Sequence, residues 1–151
     1  MERHSSYKIN SKVLTVEHSL KTKVTEVSQV VSSRINSTGY EKAKDMSRKE
    51  LPSILVVDDE LDTVRVLERI LKKRGYDIHI AFDGLEALRK LHSNHFDLVI
   101  TDLLMPNIDG IQLLSRIQKE WPTLPVLVIT AVDDEQIHRQ LLSMGARVIA
   151  V

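Results

Sequence analysis

Residues 53–60 read Ser53-Ile54-Leu55-Val56-Val57-Asp58-Asp59-Glu60, a short continuous apolar run that ends in three acids. Apolar residues without alternation, in a run this short, are what a strand buried on both faces requires. The same texture returns at Phe96 to Thr101 and at Leu124 to Thr130, with Tyr76 to Ala81 and Arg147 to Val151 as the second and fifth strands of the series. Between the strands the period changes to three and four. Leu61, Val64, Leu67 and Leu71 mark a helical face, followed by Lys72-Lys73-Arg74 and Gly75, a basic last turn and a stop. Asp83-Gly84-Leu85-Glu86 has capping-box spacing and opens a helix expected to bury Leu85, Leu88 and Leu91. Asp109 can cap a helix with Ile111, Leu114 and Ile117 inward, stopped before Pro122, and Ile137, Leu141 and Met144 mark a last helix closed by Gly145. Strands alternating with helices at this spacing imply right-handed crossovers and a parallel sheet.

Composition narrows the function. The chain has 151 residues, 42% hydrophobic and only 4% aromatic, so its core rests on Val, Ile and Leu. Without cysteine, disulfides, thiolate catalysis and Cys-based zinc sites are excluded. No apolar run approaches the ~20 residues of a membrane helix, and Met1 to Ser6 leads into no signal core, so a cytoplasmic location is expected. Residues 1–50 carry ten Lys/Arg against six Asp/Glu, residues 51–151 eleven against fifteen. An acidic second part is a poor grip for nucleic acid. A compositional break near Ser47 to Pro52 separates an N-terminal extension, residues 1–50, from a domain at 51–151. In the extension Val13, Val16, Leu20, Val24, Val27, Val31 and Ile35 recur at spacings of three and four, with Val13, Val24 and Ile35 eleven apart. That stripe suits a partner-binding or dimerising helix; its many β-branched residues, mediocre helix formers, keep a poorly ordered tail as the competing reading.

In a doubly wound sheet, ligands bind at the edge where strands hand over to helices. Asp58-Asp59-Glu60 follows the first strand, Asp102 ends the third and Thr130 ends the fourth. Converging carboxylates repel one another, so they make sense around a hard cation, and oxygen ligands of this kind suit Mg²⁺. A metal-clamped carboxylate is a plausible nucleophile toward phosphorus, and Thr130 can offer its hydroxyl to a phosphoryl oxygen. Taken singly, Asp58 or Asp59 is an ordinary N-cap, with Asp59 and Asp62 fitting that role, and Asp102 a loop acid. Asp83 and Asp109 read as caps, His92 and His95 as solvent-facing residues, and Trp121 as packing at a helix exit.

The runs Ile54 to Glu60, Asp97 to Pro106 with Asp109-Gly110, Val126 to Ala131, and the later Gly145-Ala146 together resemble the receiver domain of two-component response regulators, the CheY-like superfamily. The likeness covers residues 53 to 151. It implies a flavodoxin-like sheet of order 2-1-3-4-5 and a self-phosphorylating switch rather than a turnover enzyme. Asp102 would accept a phosphoryl group from a phosphohistidine on a sensor histidine kinase or phosphotransfer protein. Asp59, Asp102 and the Leu104 backbone carbonyl would bind Mg²⁺, with Asp58 acting through water and Thr130 signalling phosphorylation to the fourth helix and fifth strand. The positions that tune phosphate lifetime hold Leu104 and Val132, neither able to orient a water, which implies slow self-dephosphorylation.

The chain also departs from that pattern. Counting from Gly145-Ala146, the family's lysine would fall immediately after Val151, and Ile149 stands where a rotating aromatic is common. The last strand is expected to be partial and the final helix missing, leaving apolar sheet surface of several hundred Å², on the order that invites association. The alternative function is therefore a non-switching pseudo-receiver or truncated fragment that acts as an interaction or homodimerisation module. An aspartate-based phosphatase ranks below both, because Asp102-Leu103-Leu104 lacks the second acid two residues on.

Overall fold

The computed structural model describes residues 51–150 together with Leu14, His18 and Gln29. The remainder of the 13–35 stripe, with the rest of the extension and Val151, lies outside the described residues. Five strands, β1 (Ser53–Val57), β2 (Asp77–Ala81), β3 (Leu98–Thr101), β4 (Val126–Thr130) and β5 (Arg147–Ala150), form one parallel sheet of order β2-β1-β3-β4-β5. Four helices connect them: α1 (Leu61–Lys72), α2 (Gly84–Ser93), α3 (Gly110–Glu120) and α4 (Glu135–Ser143). This is the flavodoxin-like doubly wound architecture. No helix among the described residues is long and apolar enough to cross a membrane.

The sheet divides the core in two. On one side Leu55, Val57, Val99, Val126 and Val128 pack with Ala87, Leu88 and Leu91 of α2, Leu113, Leu114 and Ile117 of α3, and Leu141 of α4. On the other, Ile54, Val56, Ile78, Leu98, Ile100, Leu127, Ile129 and Ile149 gather with Leu67 and Leu71 of α1. Burying one such aliphatic side chain stabilises by about 1.5–3 kcal/mol, so β1, buried on both faces from Ile54 to Val57, anchors the fold. Gly75, with φ of 84°, turns the chain after α1 in the left-handed region where a side chain is strained.

Several expectations need correction. Leu85 is 49% exposed, and Leu61 is exposed too. The face that α2 buries runs through Gly84, Ala87, Leu88 and Leu91. At 100° per residue Leu85 points off that face, and choosing the largest apolar residues had hidden the small ones that pack. The N-cap of α1 is Glu60, not Asp59, and its side chain makes no capping bond to the backbone; it accepts instead from the Thr63 hydroxyl at 2.9 Å. Asp83 does cap α2, but Glu86 reaches past it to the Phe82 amide at 2.9 Å. At α3 the capping box is complete, between Asp109 and Gln112. The sheet face expected to be bare is covered: Leu127, Ile129 and Ile149 are 4%, 6% and 1% exposed.

Candidate functional site

β1 and β3 are parallel neighbours in a register that sets Val57 beside Thr101, so the next residues, Asp58 and Asp102, leave the sheet side by side. The ladder carries one step further to hold them. Asp102 donates its amide to the Val57 carbonyl at 3.0 Å, and Asp58 donates its amide to the Ala81 carbonyl at 3.2 Å. Strand pairing that depends on Ile54 to Val57 and Leu98 to Thr101 thus places two acids by their backbones. Their side chains are held as well: Oδ1 of Asp102 accepts from the Leu103 amide at 2.7 Å, and Oδ1 of Asp58 accepts from the Glu60 amide at 2.8 Å.

Asp58 and Asp102 are buried and Asp59 is exposed, yet one carboxylate oxygen from each lies within 4.8 Å of the other two. No other cluster of three or more His or acidic side chains of this kind occurs among the described residues, and His92 instead lies 3.4 Å from Glu120 and tilts against Trp121. Two like charges at that separation cost about 3–4 kcal/mol at an effective dielectric of ~20. Oxygens around an octahedral Mg²⁺ at ~2.1 Å stand ~3 Å apart when adjacent and ~4.2 Å when opposite. The acids therefore match such an ion in donor type, and oxygens within 4.8 Å of one another can reach its ~3 Å and ~4.2 Å separations by closing up by at most about 2 Å, or through an intervening water. The donor set fits.

Thr130 ends β4 at the same sheet edge, fully buried, and its Oγ1 accepts from the Val132 amide at 3.0 Å, leaving the hydroxyl proton to donate elsewhere. The Leu104 side chain is exposed, while Val132 is partly buried against the α2–α4 core. Two residues to which the sequence reading gave no role of their own also shape this edge. Gly110 opens α3 under the acidic loop and donates its amide to the Leu103 carbonyl at 2.8 Å. A Cβ there would run into the Asp102 carbonyl oxygen and lie 2.8 Å from Leu103 Cα. Nothing in the local pattern announced this, because Asp109-Gly110 reads equally well as a plain cap. His138 on α4 donates from Nε2 to the Val132 carbonyl at 2.8 Å, tying that helix to the loop after Thr130.

Fold and edge together define a doubly wound α/β protein with a cluster of three acids at the carboxyl ends of β1 and β3. The chain belongs to the response regulator receiver domain family, whose model matches residues 54–149. It is similar to the alkaline phosphatase synthesis transcriptional regulatory protein PhoP of Bacillus subtilis, 40% identical over 93 residues that make up 62% of this chain and 39% of PhoP. It is similar also to the sensor protein EvgS of Escherichia coli K12, 33% identical over 76% of this chain and 10% of EvgS. Among solved structures, the response regulator protein TrrA of Thermotoga maritima, in complex with Mg²⁺ and BeF, matches with a TM-score of 0.61 and 36% identity over 67% of this chain and 86% of that one. The chain thus spans well under half of these two curated relatives. It carries the receiver domain of two-component response regulators.

Proposed function

We propose that residues 51–151 form a receiver unit, with residues 1–50 as an extension, and that Asp102 accepts a phosphoryl group from a phosphohistidine on a sensor histidine kinase or phosphotransfer protein. The meeting of the Asp58, Asp59 and Asp102 carboxylates at one point carries this reading. A carboxylate oxygen of Asp102 attacks phosphorus; the new P–O bond forms as the P–N bond breaks, and the imidazole leaves with the electron pair. Asp59, Asp102 and the Leu104 carbonyl would hold Mg²⁺, with Asp58 acting through water; when bound, the ion offsets charge on the incoming phosphoryl group. Thr130 donates its hydroxyl to a phosphoryl oxygen, and its displacement is the signal that α4 and β5 feel. Because the product occupies the nucleophile, the unit acts as a switch rather than a turnover enzyme, in the cytoplasm.

The test is incubation of the protein with Mg²⁺ and a small phosphodonor, followed by intact-mass measurement. The expected result is a gain of one phosphoryl group that disappears in Asp102→Asn. A folded sample that gains nothing would overturn the reading in favour of a non-switching interaction module. The acyl phosphate, once formed, should outlast a half-life of seconds, since neither Leu104 nor Val132 can orient an attacking water; a polar residue at either position should hasten decay by up to roughly a hundredfold.

A further inference from the structure

Leu127, Ile129 and Ile149 are buried on the face of the sheet that carries α1. Yet α1 packs on β1 and β2, and the other three helices supply their buried residues to the opposite core. β5 stands three strand spacings from β1, ~14 Å across the sheet, beyond the reach of a helix ~10 Å wide centred on β1 and β2. Among the described residues no helix covers this part of the face. Within the 151 residues, the part of the chain outside β1 to β5 and the four helices that is long enough to cross this face is the extension, residues 1–50.

The extension offers one apolar surface long enough, the stripe from Val13 to Ile35. Its three described residues, Leu14, His18 and Gln29, are helical and exposed. At 100° per residue they fall within ~60° of one another, and the mean direction of the stripe lies ~140° away. The three exposed residues thus lie, on a helical wheel, opposite the stripe. Some 23 residues of helix measure ~34 Å, ample for strands of four or five residues, and the segment 36–52 can span up to ~55 Å, far more than the crossing needs.

We propose that residues 13–35 of this chain dock as an amphipathic helix, apolar stripe inward, on the β3–β4–β5 part of the α1 face. The contact is intramolecular and does not depend on whether Asp102 takes a phosphoryl group. It gives the extension a partner, the sheet itself, and places that partner on the strand that ends in Thr130.

The full-length chain tests this. Val24→Asp and Val31→Asp, on the stripe, should each lower Tm by roughly 5–10 °C and speed amide exchange at Leu127, Ile129 and Ile149 at least tenfold over that at Ile78 on β2, while Gln29→Asp on the outer side changes neither. Silence from both sides of the helix would overturn the proposal, as would stripe variants that turn a dimer into a monomer, since the occupant would then be a second copy. Should the stripe variants fail to fold, Gln29→Cys in this cysteine-free chain carries a spin label. It should broaden the amides of Leu127, Ile129 and Ile149 more than those of Arg116 and Gln118, and broadening that favours the latter pair or is absent overturns docking. A mixture of labelled and isotopically enriched chains should show no such broadening; its appearance again assigns the face to a second copy.

Discussion

β3 has an aspartate just before it and another at its exit, Asp97 and Asp102, and the two have opposite fates. Each binds β1 through its backbone: Asp97 donates its amide to Ser53 and Asp102 to Val57. At the entry, Asp97 also accepts the Ser53 amide on Oδ2 at 2.8 Å, closing a two-way contact with a single residue. At the exit, Asp102 meets Asp58 and Asp59. The reason is the polarity of parallel strands. Their amino ends leave N–H groups and their carboxyl ends leave C=O groups, so the Asp97 carboxylate meets a strand donor, whereas the Asp102 carboxylate takes the loop amide of Leu103. Beside it stand other acids, whose repulsion a cation can relieve. One edge is finished by its aspartate; at the other the aspartate joins a cluster of acids.

The largest effect should separate these two residues outright. Asp102→Asn is expected to abolish phosphoryl uptake, whereas Asp97→Asn leaves uptake intact and costs about 0.5–1.5 kcal/mol of stability, read by denaturant unfolding. Equal loss of uptake in both would mean that the exit aspartate holds no special place. Metal comes next. Mg²⁺ at a hundred times its dissociation constant should stabilise the folded chain by about 2.7 kcal/mol, seen as a rise in Tm that chelation reverses. Asp59→Asn should remove most of that rise and Asp97→Asn none of it.

Gly110→Ala should be smaller but still plain. The added methyl would meet the Asp102 carbonyl oxygen and Leu103 Cα, both backbone atoms with little room to give. A cost of about 1–3 kcal/mol is expected, together with weaker Mg²⁺ binding as the acidic loop is pushed aside. A variant destabilised to this degree but with unchanged metal affinity would show that Gly110 serves α3 alone.

Much of this is legible in the sequence. Runs such as Ile54 to Val57, too short for a helix of their own and repeated between helical patterns, suit strands buried on both faces, and once the strands are placed, the acids that follow them share an edge. Quantities that depend on three-dimensional approach were not legible. Leu85 looked like core because it is large, while Ala87 and Gly84 do the packing. The demand for glycine at 110 comes from a carbonyl eight residues earlier, brought close only by the turn after β3. In the sequence the face of β4 and β5 lacks a following helix to cover it, yet Ile149 is buried. Periodicity shows that residues 13–35 have an apolar side and cannot say what that side meets.

The smallest effect concerns how the exit edge reports its state. Val132 is gripped from both sides of its residue: its amide donates to Thr130 Oγ1 at 3.0 Å, and its carbonyl accepts from His138 Nε2 at 2.8 Å. If Thr130 shifts toward a phosphoryl group, it gives up the Val132 amide or draws the loop along, and the second course strains the bond to His138. His138 is then the link through which α4 resists or follows the movement. Replacing it, as in His138→Leu, keeps a side chain of similar bulk against the loop and removes one hydrogen bond, worth about 0.5–1.5 kcal/mol. Tm should fall by a few degrees, and phosphoryl uptake at Asp102 should speed up by about two- to tenfold, since 1.4 kcal/mol is tenfold in a rate. Uptake that slows instead would mean that His138 holds Thr130 in the competent position rather than restraining it.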